Sequence, residues 1–276
     1  MFKMLDVVDF GSKELNGCSA DPEFESFIFL EEATGKKREE ILVNKEDIKK
    51  KDFDRFRGFL KRRITGEPWQ YIVGKTNFFG FEILVEKEVF IPRPETEFMT
   101  CFAIERLKSF ETPFIIDIGC GTGAISIAIA HNIKKAKIIA TDISKSAIDL
   151  CKKNVYYNNL ERRIDIIRTD LTACFSNLLR FDMIISNPPY ISVEDMDKLD
   201  MVVKKEPGSA LNGGPGGVYF INRILEDSVN KLSNGGLIII EIDNSNIPFL
   251  KIPASIDYSI IKDQYGKNRI LQGVKI

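Results

Sequence analysis

The chain has 276 residues, 44% hydrophobic and 29% charged, which is ordinary globular composition and excludes a disordered, collagenous or disulfide-scaffold protein. Lys and Arg number 39 against 40 Asp and Glu, so the net charge of -1 speaks against a strongly basic nucleic-acid-coating domain. Five scattered cysteines (Cys18, Cys101, Cys120, Cys151, Cys174) form no Cys-x-x-Cys pair, which points to a reducing compartment and away from a zinc ribbon. No run reaches the ~18 apolar residues that span a bilayer, and the first residues lack a secretory pattern, so a cytoplasmic chain without membrane association is expected. A single histidine, His131, leaves no Ser-His-Asp triad and no His-rich metal site to build; no metal is expected.

In chain order, Asp21-Pro22 supplies an N-cap and an N1 proline for a helix that Gly35 can end. A second helical stretch begins near Lys45 and runs to Gly66, with Phe53, Phe56, Leu60 and Ile64 at spacings of three and four and a basic opposite face. These helices predict a small helical domain over residues 1–75. Alternating Phe79, Phe81, Ile83 and Val85 predict strand structure in a connector, residues 76–94. Residues 95–276 then alternate short β-branched runs (PFIIDIG, AKIIATD, RIDIIRTD, FDMIISN, GGLIIIEI) with helical stretches, the pattern of a parallel sheet covered on both faces. IDYSIIKD and RILQGVKI, separated by a Gly-containing turn, predict a terminal antiparallel hairpin. His131 falls near the end of a small-residue helix, where an imidazolium would suit the helix C-terminus.

The first strand of that alternation runs directly into Gly119-Cys120-Gly121-Thr122-Gly123 and a helix, a loop that lets a ligand approach backbone closely at a helix N-terminus. Asp142, about 20 residues on, is placed to bind the hydroxyls of a ribose. Both NAD(H) and S-adenosylmethionine carry that ribose, so Asp142 does not separate them. Asp117 favours the second: an acid ahead of the glycines is awkward beside a pyrophosphate and suits a sulfonium and an ammonium, although Gly119-x-Gly121-x-x-Ala124 also fits the loose dinucleotide fingerprint. The Asp-x-Gly-x-Gly-x-Gly segment resembles class I methyltransferases. Asp170, ending the next strand but one, resembles the position bordering the adenine in that family, or is simply a helix N-cap.

The strand FDMIIS delivers Asn187-Pro188-Pro189-Tyr190 at its C-terminal end, where open α/β sheets place their sites. Two prolines stiffen the backbone and remove N–H donors, leaving carbonyl acceptors beside an Asn side chain and an aromatic ring. A planar –NH2 on a conjugated system needs such acceptors. Hydrogen bonds from both its protons, to the Asn187 side chain and the Pro188 carbonyl, favour a more pyramidal nitrogen whose lone pair can face a sulfonium methyl. Positioning and electrostatics carry such a reaction, without a strong base.

Over nearly its whole length the chain resembles the glutamine methyltransferases of peptide-chain release factors, the PrmC/HemK family. The matching residues are Gly66-Glu67-Pro68-x-Gln70-Tyr71, Ile91-Pro92-Arg93-Pro94-Glu95-Thr96-Glu97, the glycine loop, Asn187-Pro188-Pro189-Tyr190-Ile191, Glu206-Pro207 with Ala210-Leu211, and Asp263-x-x-Gly266-x-x-Arg269. The resemblance implies a Rossmann-like class I S-adenosylmethionine-dependent fold with a mostly parallel seven-stranded sheet, a helical substrate-recognition domain and a short β connector. It implies methyl transfer to the glutamine of the Gly-Gly-Gln motif of class I release factors, giving N5-methylglutamine and S-adenosylhomocysteine. In that reading Asn187 and Pro188 hold the amide, Pro189 and Tyr190 complete the substrate site, and Tyr190 packs beside the amide. Asp117, Gly119, Cys120, Gly121, Thr122, Gly123, Asp142, Asp170, Leu171 and Asn187 surround the cofactor. Arg93 and Thr96 either line the transfer cavity or form a structural turn. Leu171 replaces a commonly aromatic residue, and Glu241-Ile242-Asp243-Asn244-Ser245-Asn246 departs from the expected Glu-Ile-Gly followed by a Gln. A monomer without stable nucleic acid is expected. The rival readings are an adenine methyltransferase, which needs a base-flipping basic surface, a dinucleotide oxidoreductase, which has no use for Asn-Pro-Pro-Tyr, and an inactive cofactor binder.

Overall fold

The computed structural model describes residues 3–43 and 46–276 and divides into two compact units, Met1–Gly74 with Asp200–Lys205, and Lys75–Leu199 with Glu206–Ile276. Lys45, where the second predicted helix begins, lies outside the described residues.

The first unit is helical: α1 (Met4–Glu14), α2 (Pro22–Thr34), α3 (Arg38–Val43), α4 (Lys50–Ile64) and α5 (Trp69–Val73). The Asp21 carboxylate accepts from Phe24 N at 3.0 Å, Pro22 opens α2, and Gly35 at φ 71° closes it. Phe29, Leu30, Ile41, Phe56 and Leu60 fill the core, each such side chain contributing about 1.5–3 kcal/mol on burial. Ile64 does not join them, as it is 44% exposed. The inward place one turn after Leu60 goes instead to Arg63, whose Nε donates to the buried Glu25 carboxylate at 2.6 Å. A buried Glu needs a charged partner, and that need outweighs the apolar periodicity.

The second unit opens with a hairpin, β1 (Lys75–Phe78) and β2 (Phe81–Leu84), joined through Phe79 and Gly80, both at positive φ. Phe79 is therefore a turn residue and Val85 lies beyond the strand end, so the alternation read from sequence spans a turn. Next come α6 (Pro94–Leu107), β3 (Phe114–Ile118), α7 (Ala124–Asn132), β4 (Lys137–Asp142), α8 (Lys145–Tyr157), β5 (Ile164–Arg168) and β6 (Phe181–Ser186). Then follow short 3-10 turns, α9 (Tyr219–Lys231), β7 (Leu232–Glu241), β8 (Ile256–Lys262) and β9 (Asn268–Lys275). The seven-stranded sheet has the order β5-β4-β3-β6-β7-β9-β8, parallel except for β9 against both neighbours. Alternate residues of each strand face opposite layers. Ile115, Met183, Ile185 and Ile239 join the apolar cluster that holds α6 and α7, and Ile116, Ile184, Ile238 and Ile240 join the one that holds α9. The chain winds outward from β3 to β5 and returns with β6 beside β3, so the topological switch lies between the C-terminal ends of β3 and β6.

His131 ends α7 but is not held as an imidazolium. Its ring stacks on Phe81 at 4.2 Å, and burial, with Lys134 and Arg163 nearby, lowers its pKa. Desolvation wins over the helix-end attraction expected from sequence.

Candidate active site

Two clusters meet the switch point. The first follows β3. Gly119, Gly121 and Gly123 adopt φ of 72°, 53° and 82°, so the loop turns through a conformation that L side chains resist. A Cβ on Gly123 would sit 2.7 Å from Cys151 Sγ, showing how closely this turn packs on α8. Thr122 is buried, and its carbonyl accepts from Asn154 Nδ2 at 2.9 Å. Cys120 is buried, and the adjacent Cys151 together with desolvation raises its pKa, which keeps it a thiol rather than a nucleophile.

Asp117, in β3 just before this turn, is wholly buried. Its Oδ2 accepts from Ser126 Oγ at 2.6 Å while Oδ1 has no partner among the described residues. Burial pushes its pKa up to about 7, with the Ser126 hydrogen bond opposing and the nearby Asp142 charge adding to the rise. An uncompensated carboxylate oxygen inside a closed turn is costly unless a cation completes it. Asp142 ends β4, and its two oxygens accept from Gly121 N at 3.0 Å and Ser144 N at 2.8 Å. Burial raises its pKa as well.

Asp170 and Leu171 follow β5. No helix begins at Asp170; residues 171–174 are a turn, so the N-cap alternative does not hold. The Asp170 carboxylate instead accepts from Arg223 Nη2 at 2.8 Å. Leu171, at φ 47°, packs against the apolar cluster containing Ile116 and Ile118.

The second cluster follows β6. Asn187 Nδ2 donates to Thr96 Oγ1 at 2.8 Å, and the Thr96 hydroxyl donates to Glu241 Oε2 at 2.8 Å. The Tyr190 hydroxyl donates to Glu241 Oε1 at 3.2 Å. Thr96 reaches this position from the first turn of α6, which Pro94 opens behind Arg93. Glu241 ends β7 and is 1% exposed, and burial pushes its pKa to about 7 against the two hydroxyl donors. Burial and the Glu241 charge raise the Tyr190 pKa, so the phenol stays protonated. Neither Asn187 Oδ1 nor the Pro188 carbonyl accepts a hydrogen bond from any described residue.

The backbone behind the tetrapeptide is pinned. Asn246, fully buried, donates from Nδ2 to the Tyr190 carbonyl at 3.0 Å and the Gly216 carbonyl at 3.1 Å. Its Oδ1 accepts from Asp243 N at 2.7 Å, so the altered loop after Glu241 keeps a carboxamide, as Asn rather than Gln. A Cβ at Gly213 would lie 2.6 Å from the Pro189 carbonyl, and one at Gly217 2.1 Å from that of Tyr190. Arg93 does not reach this cluster; its guanidinium pairs with the buried Glu206, which also accepts from Ile91 N at 3.1 Å. Arg93 thus fixes the chain entering α6. Arg269 lies among Asp263 (3.2 Å), Asp243 (3.7 Å) and Glu95 (3.9 Å), tying the terminal hairpin to the loop after β7 and to α6.

Sequence reasoning named Glu206 and the Glu241–Asn246 stretch only as motif positions, without a role, and passed over Gly213 and Gly217. An acid closing the apolar run GGLIIIE and the glycine-dense LNGGPGG were visible signals.

Comparison with known proteins gives two family models on this chain: the PrmC N-terminal domain over residues 6–74 and the methyltransferase small domain over residues 83–214. A release factor glutamine methyltransferase of Rhodopirellula baltica is 36% identical over 92% of this chain and 89% of the relative. One of Clostridium botulinum is 34% identical over 85% and 86%. Among solved structures, the hMettl16 catalytic domain in complex with a MAT2A 3′UTR hairpin superposes with a TM-score of 0.55 at 19% identity, covering 71% of this chain and 76% of that one. The 16S rRNA N2 G1207 methyltransferase RsmC of Thermus thermophilus, in complex with AdoMet and guanosine, gives 0.50 at 17% identity, covering 73% and 50%. The two structures share the class I methyltransferase fold with this chain. The full-length relatives go further, and by them the chain belongs to the release factor glutamine methyltransferase family.

Proposed function

We propose that the chain methylates the side-chain amide nitrogen of the glutamine in the Gly-Gly-Gln motif of class I peptide-chain release factors, giving N5-methylglutamine. The observation that carries this reading is the pair of unengaged acceptors, Asn187 Oδ1 and the Pro188 carbonyl, beside each other at the switch point. S-adenosylmethionine supplies an electrophilic methyl on a cationic sulfur. The residues fit that group: the orphaned Asp117 Oδ1 suits its ammonium, Asp142 its ribose hydroxyls, and the open turn at Gly119 and Gly121 admits it close to backbone. Leu171 offers the adenine an apolar contact and Asp170 borders it.

An amide nitrogen is a poor nucleophile because its lone pair is delocalised. Asn187 Oδ1 and the Pro188 carbonyl accept hydrogen bonds from its two N–H groups and hold the lone pair toward the donor cluster. Transfer would break the donor's sulfur–methyl bond, leaving S-adenosylhomocysteine, as the nitrogen–carbon bond forms; the N–H groups become more acidic, both hydrogen bonds strengthen, and one proton is shed to water. Tyr190 packs its ring beside the amide, and its phenol, kept neutral, adds no charge there. The Met1–Gly74 unit, matched by the PrmC N-terminal model, recognises the release factor. The protein acts as a cytoplasmic monomer, with no metal and no stable nucleic-acid partner.

The test is mass spectrometry of a purified class I release factor after incubation with the protein and S-adenosylmethionine. One added methyl on the Gly-Gly-Gln glutamine is expected. No addition while the ligand still binds would refute this substrate assignment and turn the search to adenine acceptors.

A further inference from the structure

We propose that Thr96 and Glu241 are positioning residues that hold the Asn187 carboxamide in one of its two orientations, with Oδ1 turned to the acceptor amide. An asparagine side chain presents a donor and an acceptor of nearly identical shape, and a half-turn exchanges them. Only one orientation can serve an –NH2 substrate, because the other sets two donor groups against each other. Something must choose, and the choice is not made by Asn187 itself.

The hydrogen-bond sequence makes it. Thr96 has a single proton, and the nearest strong acceptor for it is the Glu241 carboxylate at 2.8 Å. A buried carboxylate gains more from a hydroxyl donor than a neutral amide oxygen does. With its proton committed, the Thr96 oxygen can only accept, so the group facing it at 2.8 Å is Asn187 Nδ2. Turning the amide over would put two acceptors in contact. The Tyr190 hydroxyl donates to the other Glu241 oxygen, so the carboxylate has a donor on each side and no spare proton to return to Thr96. The remaining charged groups facing Glu241 are Glu95 from α6 and Arg269 from β9, which act on it in opposite directions. Three distant segments thus converge to set one bit of orientation in Asn187. This extends the methyl-transfer reading and rests on it for its catalytic consequence, though not for the orientation.

Two measurements on the full chain, at pH 8, test it. The first needs no turnover: the side-chain 15N–1H pair of Asn187, assigned by its disappearance in Asn187→Asp. Thr96→Val is expected to shift that pair and speed its proton exchange, while Thr96→Ser restores the native signal. An unmoved pair in Thr96→Val overturns the proposal whatever the catalysis does. The second is steady-state transfer to the release factor. Thr96→Val and Glu241→Gln are expected to lower kcat by about 10- to 100-fold with the KM for release factor and the Kd for S-adenosylmethionine nearly unchanged, the size usual for losing an outer partner of a reacting group. Thr96→Ser is expected within a few-fold of wild type. Equal losses in Thr96→Val and Thr96→Ser would mean simple packing and overturn the proposal. Absence of transfer in the wild-type protein instead counts against the substrate assignment, and the amide signal then decides the orientation alone.

Discussion

The two clusters at the switch point are built in opposite ways. The one after β3 is largely local: residues 117 to 123 supply its turn and its buried acid, Ser126 of the next helix holds that acid, and Asp142, Cys151 and Asn154 join from the following strand and helix. The one after β6 is assembled across the chain, with Thr96 at 91 residues from Asn187 and 145 from Glu241. The local cluster depends on backbone conformation and one uncompensated charge. The assembled one depends on hydrogen-bond direction. Mutations should therefore separate binding of the donor from transfer to the acceptor.

The largest effect is expected from Asn187→Ala, which removes the acceptor proposed to face the substrate amide. Transfer should fall about 10³-fold, the scale of losing a preorganised hydrogen-bond partner of the reacting group. Calorimetric binding of S-adenosylmethionine should persist. Loss of binding to the same degree would merge the two clusters and end the comparison.

Asp117→Asn should do the reverse, weakening ligand binding by about 10- to 100-fold, as expected for removing a buried charge partner. The wild-type protein adds a pH signature. Free Asp117 titrates at about 7, and a cation beside Oδ1 would lower that value, so binding releases a proton where the acid is still protonated. Affinity should then fall as pH drops from 8 to 6, and the Asn variant should show a flatter profile. An equally steep profile in the variant would assign the titration to another group.

Gly123→Ala combines a positive φ with a Cβ 2.7 Å from Cys151 Sγ, while Gly119→Ala carries the positive φ with open space around it. The first should cost about 1–3 kcal/mol in denaturant unfolding, and the second should stay near the lower end of that range. Equal costs would show that the close approach to α8 is accommodated. Tyr190→Phe should have the smallest effect. It keeps the ring and removes one of two donors to Glu241, which should cost about 1 kcal/mol of stability and less than a tenfold loss of transfer.

The same contrast explains what was legible beforehand. Strand-by-strand apolar runs, the glycine loop and the terminal hairpin are statements about neighbours in sequence, and each appears in the fold where its residues predict it. Asn187 was legible because its two prolines advertise a special backbone. Its orientation was not, since Thr96 and Glu241 meet it only once α6 and β7 lie beside β6. The misreadings follow the same rule. Ile64 lost its place to Arg63 because Glu25, 38 residues away, required a partner. His131 lost its expected charge because Phe81 covers it. Of the two readings of Asp170, the cap finds no helix to serve, and the carboxylate meets Arg223 on a helix that arrives 53 residues later.

The glycines behind the tetrapeptide carry a consequence for how such a site can change over time. At Gly213 and Gly217 the contact with the Pro189 and Tyr190 carbonyls is backbone against backbone, with no side chain on the glycine side to shorten. A lineage exploring new acceptors could enlarge a pocket walled by leucine or phenylalanine one methylene at a time. Here every substitution adds atoms and pushes the tetrapeptide forward. Drift on this face is one-way and immediately harmful, so any broadening of acceptor choice must come from other surfaces of the protein.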